Sequence, residues 1–228
     1  MGVTSYKIHV SHPHTNLYEL TAKSLQSVLS QNTKYSFEVI LVDYGTEENT
    51  LKKLQAEVKG FEIIRDVFSI SKAFNVIFRE GFEKRNTRYI LAMSNDVILE
   101  PRAIQSAMDY ASMAHERIAL IGAHDTDIFA CFLMSREMYL RVGPFDENLI
   151  YYPDWDYEER LRELGLGMCS CDLFKVDHVK SWHRTSKGGH TLGVFFFTDK
   201  VEELQRRSWE YFKKKYPEKH KKRRVGWQ

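Results

Sequence analysis

Apolar and polar positions along the first half of the chain switch repeatedly between a period of two and a period near 3.6. YKIHVSH (6–12) predicts a strand, and residues 17–31 predict an amphipathic helix with Leu17, Leu20, Leu25, Val28 and Leu29 on its apolar side. FEVILVDY (37–44) is a near-continuous apolar run, the pattern of a parallel strand covered on both faces. A charged helix is expected at 47–58 and a strand at 61–67. Ser71 is placed to cap a helix from 72 to about 84, and RYILAM (88–93) reads as another buried strand. Pro101 opens a helix near 102–115, where the first turn tolerates proline. This alternation implies an α/β fold with a Rossmann-like, mostly parallel sheet flanked by helices. Ligands of such sheets sit beyond the carboxyl ends of the strands, which brings Asp43 and the run Ser94-Asn95-Asp96 forward.

The second half changes character. IALIGAH (118–124), IFACFLMS (128–135) and LFKVDHV (173–179) predict strands of a mixed sheet, interrupted by a loop and helix at 143–165. That helix is expected from Trp155 onward, with Leu161 and Leu164 on one face and Gly165 and Gly167 ending it. Residues 199–216 form a last helix, with Val201, Leu204, Trp209 and Phe212 as a docking stripe. No internal repeat or low-complexity linker divides the chain. A single domain over 1–198 is expected, with halves meeting near residue 100, followed by a helix and basic tail at 199–228.

Asp154 and Asp156 stand where the loop gives way to the helix at 143–165. Carboxylates there accept free backbone N–H groups and sit at the positive end of the helix dipole, which favours the ionised form. They could cap the helix, or one could serve as a general base.

Composition narrows the classes. The chain of 228 residues can bury a substantial core, and 43% apolar with 28% charged residues is ordinary for a soluble domain. No run of 18 apolar residues suggests a membrane span, and MGVTSYKIHVSH lacks the apolar core of a secretory signal. Cys131, Cys169 and Cys171 make neither a disulfide framework nor a zinc spacing, so a reducing, cytoplasmic setting is expected. The net charge of +2 hides an asymmetry: residues 213–224 hold eight Lys or Arg against one Glu. That tail is either a solvated end or a peripheral contact with an anionic membrane face; nucleic acid is not expected without a reading motif.

Four stretches together resemble the family 2 glycosyltransferases, and nearest to them the rhamnosyltransferase-like members with an N-x-D-v metal motif. LVDYGTEENT (41–50) is similar to the V-D-D-G-S-x-D-x-T segment, and SISKAFNVIFREG (69–81) to the G-x-s-x-A-x-N-x-G helix. MSNDVILEP (93–101) resembles the metal-binding L-N-x-D-v-x-l-x-P segment. Residues 132–165 resemble the segment containing G-x-F-D-E and E-D-x-D-l-x-x-R-l-x-x-x-G. The resemblance runs from about residue 6 to about 190 and implies a GT-A fold, with a nucleotide-sugar half at 1–100 and an acceptor half at 101–198.

It also implies a division of labour among the residues. Asp96 is the implied metal ligand for Mn²⁺ or Mg²⁺, with Ser94 or Asn95 standing where many members carry the motif's first acid. His183, in SWHRTSKGG, is the implied late histidine of that site, with His178 as its competitor; Arg184, Ser186 and Lys187 could hold phosphate oxygens. Asp43 and Tyr44 are implied nucleotide contacts, joined by Ser11 and Asn16 on the first strand and its loop, by Lys72 and Asn75 on the third helix, and by Ser94 and Asn95. Asp154 aligns with the general base, Pro153 replaces the acid before it, and Trp155 and Asp156 are implied acceptor contacts.

The implied reaction is inverting transfer of a sugar from a nucleotide-diphosphate donor to a hydroxyl of a glycan or lipid-linked acceptor. Two alternatives stay open: a non-catalytic nucleotide- or glycan-binding module of the same fold, and a nucleotidyltransferase. The latter is disfavoured because SHPHTN (11–16) is neither glycine-rich nor basic.

Overall fold

Strand β1 (Ser5–Ser11) lies inside a seven-stranded sheet and pairs in parallel with β2 (Phe37–Asp43) on one side and β4 (Tyr89–Ser94) on the other. The computed structural model describes residues 5–11, 18–43, 46–65, 69–179 and 198–218, with side chains from 18–43, 46–65, 69–179 and 203–218. The remaining strands are β3 (Glu62–Arg65), β6 (Ile118–Ala123), β7 (Cys131–Ser135) and β8 (Gly167–Cys171), in the order β3-β2-β1-β4-β7-β6-β8. β7 runs antiparallel to both its neighbours, so β6 and β8 point the same way as β1, β2 and β4. The carboxyl ends of these five strands therefore share one edge. A small second sheet pairs β5 (Val97–Leu99) antiparallel with β9 (Val176–His178) beside that edge.

The helices are α1 (Tyr18–Leu29), α2 (Glu48–Glu57), α3 (Ile70–Phe78), α4 (Ala103–Ala111), α5 (Arg136–Val142), α6 (Pro153–Glu163) and α7 (Thr198–Lys215). Alternate residues of each central strand serve two cores. Ile40, Val42, Ile90, Ala92, Phe132 and Met134 pack with Phe74, Ile77 and Phe78 of α3 and with Tyr157 and Leu161 of α6. Leu41, Leu91, Met93, Ile121 and Leu133 pack with Leu25 of α1, Leu54 of α2 and Ile104 of α4. Coverage on both faces explains the unbroken apolar runs of β2 and β4, and each such side chain contributes about 1.5–3 kcal/mol of burial. A third, smaller cluster joins Leu149 to Phe212 and Tyr216 of α7, with Trp155 and Trp209 packed against it.

The expected elements hold with local corrections. Ser69, not Ser71, caps α3 by accepting from the Lys72 N–H, so the helix starts earlier than the pattern suggested. Its last turns widen into a π segment at Arg79–Lys84. Only residues 176–178 of the expected strand at 173–179 are extended; the strand beside β6 is β8. Its sequence, GMCSC, alternates too weakly in hydrophobicity to announce itself. The three residues of β5 and seven of α5 are too short for periodicity to reveal. Helix α6 begins at Pro153, whose fixed φ suits the first helical position, rather than at Trp155.

Candidate active site

Asp96 follows β4 on the shared edge, and its carboxylate is organised by neighbours. The Ser94 hydroxyl donates to Asp96 Oδ1 at 2.7 Å. Where a second acid would repel Asp96, serine orients it. Pairing of β5 with β9 sets Val97 opposite His178, which brings His178 Nε2 to 3.6 Å from Asp96 Oδ1. The other ring nitrogen, Nδ1, lies 2.7 Å from the Thr126 hydroxyl. A histidine held through one nitrogen presents the other in a fixed orientation. Among the described residues no third His, Cys, Asp or Glu completes a metal-holding group. A carboxylate oxygen of the kind Mn²⁺ and Mg²⁺ take lies there beside an imidazole nitrogen, a donor that a transition ion accepts more readily than Mg²⁺ does. Among the described residues, His178, the competing histidine, lies beside Asp96. His183, Arg184 and Lys187 lie outside the described residues, as do Asn16 and Tyr44.

Asp154 lies in the first turn of α6. Burial pushes its carboxyl up to about 6; the negative charges of Asp127 and Glu158 push the same way, while the backbone N–H groups of Trp155 and Asp154 pull it down. The helix terminus alone suggested a fully ionised group, and burial outweighs it. At pH 7 such a carboxyl is still about nine-tenths ionised, which is the poise a general base needs.

The loop after β6 joins these two groups. Thr126 holds His178, and Asp127 is close enough to Asp154 to raise its pKa. Asp127 itself caps the 3₁₀ turn Ile128–Ala130 through the Phe129 N–H at 2.9 Å. Phe129 then packs edge-on against Tyr157 of α6, with ring centroids 6.2 Å apart. Neither Thr126 nor Asp127 was anticipated, although HDTD (124–127) follows an apolar strand and the strand-end rule could have found both.

Several expected ligand contacts prove to be braces. The amide of Asn75 donates to the Phe145 carbonyl at 2.9 Å and to Glu147 Oε1 at 3.0 Å, and its Oδ1 accepts from the Phe145 N–H at 2.7 Å. It therefore ties α3 to the loop before α6. The Ser71 hydroxyl supports the same loop by donating to the Leu149 carbonyl. Asn95 is buried and donates to Thr21 of α1 at 3.0 Å, so it faces the core rather than a nucleotide. Asp43 is fully buried: it accepts from the Thr46 N–H at 3.3 Å and lies 3.5 Å from Arg65 Nε. Ser11 ends β1 in register with Asp43, and Lys72 is exposed in the first turn of α3.

Asp156 is likewise held within the protein. It is fully buried, 3.0 Å from Arg160 Nε and 2.6 Å from Lys215 Nζ, and it accepts from the Tyr216 hydroxyl at 2.9 Å. Lys215 also reaches Asp146 at 2.7 Å, and the Ser208 hydroxyl accepts from the Tyr151 N–H at 3.2 Å. α7 thereby clamps both the loop and the helix that carry Asp154. Trp155 is half-buried in this joint, near Tyr152, Trp209 and Phe212, so packing occupies much of its surface. Tyr152, just before Pro153, is left-handed at φ 63°, which costs about 1–2 kcal/mol for a residue of this kind. The sequence pattern gave no sign of that backbone.

The glycosyl transferase family 2 model matches residues 13–171. No curated protein matches. Among solved structures, the mannosyltransferase PcManGT from Pyrobaculum calidifontis, in complex with GDP-Man and Mn²⁺, superposes with a TM-score of 0.57 at 13% identity, covering 77% of this chain and 56% of that one. S. aureus TarS gives 0.53 at 14% identity, covering 69% of this chain and 33% of that one. The likeness extends to the GT-A fold, and the chain spans about half or less of these proteins' length.

Proposed function

Because the chain belongs to glycosyl transferase family 2, we propose that it transfers a sugar from a nucleotide-diphosphate sugar to an acceptor hydroxyl with inversion at the anomeric carbon. The observation that carries this reading is the loop at 124–127, which touches His178 beside Asp96 through Thr126 and raises the pKa of Asp154 through Asp127. One short segment thus links the two candidate cation ligands to the half-buried candidate base. The GDP-Man and Mn²⁺ held by the Pyrobaculum mannosyltransferase support a nucleotide-sugar donor and a divalent cation here.

Asp96 and His178 would hold Mn²⁺ or Mg²⁺, with His183 of the undescribed segment a further candidate ligand. When bound, the cation offsets the negative charge that grows on the departing diphosphate. Ser94 and Thr126 fix the two side chains in place for it. Asp154 takes the proton of the acceptor hydroxyl as its oxygen attacks the anomeric carbon. The bond from that carbon to the diphosphate oxygen breaks on the opposite face, so configuration inverts. A carboxyl near pH 6 accepts this proton readily at neutral pH without holding it from the start. The acceptor is a glycan or a lipid-linked sugar, and contact of the basic C-terminal tail with an anionic membrane face would suit the latter.

The test incubates the full chain with a panel of nucleotide sugars, with and without Mn²⁺, and follows thermal stabilisation and nucleotide diphosphate release. One donor should stabilise the protein in a metal-dependent way. Asp154→Asn should keep that stabilisation and lose transfer; equal loss of both would remove Asp154 from the role of base.

A further inference from the structure

Tyr152 breaks two local rules at once. The other described non-glycine residues with positive φ are Asn86 and Asp125, side-chain types that tolerate the left-handed region; tyrosine does not. Tyr152 is also the N-cap of α6 and makes no side-chain capping bond, where Asn, Asp, Ser or Gly would serve the helix better. Local conflicts of this kind gather at functional sites, because there another requirement overrides the fold's preference.

The position indicates that requirement. Asp154 lies two residues on, and its negative charge, after burial, raises the Tyr152 phenol. The Tyr152 ring lies on Trp155, with centroids 4.7 Å apart and planes at 33°, and meets Trp209 of α7 nearly edge-on at 5.7 Å. Two helices therefore fix its orientation, yet it stays only half-buried. A rigid, part-exposed aromatic face beside a base suits a ligand with a flat apolar face and hydroxyls at its rim. A pyranose ring has that form, with axial C–H groups on one face.

Resting on the transferase reading above, we propose that Tyr152 is the platform on which the acceptor sugar lies, its C–H face on the tyrosine ring and its reacting hydroxyl toward Asp154. The left-handed backbone sets this ring at the start of the helix that carries the base, and Trp155 and Trp209 back it.

The experiment uses the full-length chain with its preferred nucleotide and Mn²⁺ present. Methyl α- and β-glycosides of common hexoses and deoxyhexoses serve as probes, with binding followed by tryptophan fluorescence. Tyr152→Leu keeps bulk against Trp155 but removes the aromatic face, and should weaken glycoside binding about tenfold or more. Tyr152→Phe should restore it to within about twofold, because the ring rather than the hydroxyl binds. Nucleotide affinity should be the same in all three proteins. Wild-type glycoside affinity in Tyr152→Leu would overturn the proposal, as would a parallel loss of nucleotide affinity, which would mean a base stacks there or the site has collapsed. Absence of a Tyr152-dependent signal with every glycoside would also overturn it. Nucleotide binding and donor turnover report separately on the transferase reading.

Discussion

Replacing Asp154 by Asn should stabilise the fold at neutral pH while ending sugar transfer. Burial raises the carboxyl from an ordinary 3.8 to about 6, so the folded state binds the proton more tightly than the unfolded chain does. Between about pH 4 and pH 6 the native protein therefore carries more protons, and stability falls as pH rises through that window. At 1.36 kcal/mol for each pKa unit, the ionised carboxylate costs the fold about 3 kcal/mol above pH 6 and nothing below about pH 4. Asparagine has no such titration, and its Oδ1 can still accept the N–H groups at the helix start. The difference between variant and wild type should thus be small near pH 3.5 and approach about 3 kcal/mol by pH 7.5. Urea unfolding at several pH values measures it directly, with a midpoint shift of about 1 M or more expected at the upper end. Taking the difference between the two proteins cancels the titrating groups that do not interact with Asp154. A pH-independent difference, or a variant less stable at pH 7.5, would refute the assignment of the raised pKa to burial.

The catalytic counterpart is a wild-type kcat/KM that climbs with pH and levels off above about 6; a profile flat from pH 5 to 8 would exclude Asp154 as the titrating base. His178→Ala and Asp96→Ala should each weaken Mn²⁺-dependent nucleotide binding about tenfold or more, whereas unchanged metal dependence would place the cation elsewhere. Asp156→Asn leaves Arg160 and Lys215 facing a neutral group and should cost about 2–4 kcal/mol in chemical denaturation, with α7 losing amide-exchange protection first. Protection retained in α7 would show that its apolar stripe docks it without the ionic knot. Gly122→Ala would set a Cβ 2.7 Å from Ile128 Cγ1, where the 3₁₀ turn crosses β6, and should lower stability by about 1–3 kcal/mol by displacing the loop that carries Thr126 and Asp127. A stability within 0.5 kcal/mol of wild type would mean that the loop yields freely.

How far the site was legible varied with the range of the interactions. Asp154 stood out because two acids followed by a leucine spacing are local signals of a helix start. Asp96 stood out because it ends an apolar strand. Asn75 and Asp156 were equally visible as motif positions, but their bracing partners were not, since Phe145, Lys215 and Tyr216 lie more than 55 residues away in sequence. His178 could be named but not ranked against His183, because only the antiparallel pairing of β5 and β9 puts it beside Asp96.

By itself the sequence determined the α/β order, the two-faced burial of the central strands, and the edge on which chemistry would lie. Those follow from hydrophobic period and chain direction, which each segment carries within itself. Only the tertiary structure decided which polar groups brace the fold and which remain available for chemistry. That division depends on which side chain finds a distant partner: Asp156 is neutralised by Lys215, while Asp154, two residues earlier, is half-buried near Asp127 and held near the pKa of a base. Desolvation and long-range pairing are properties of the packed molecule, and no local pattern encodes them.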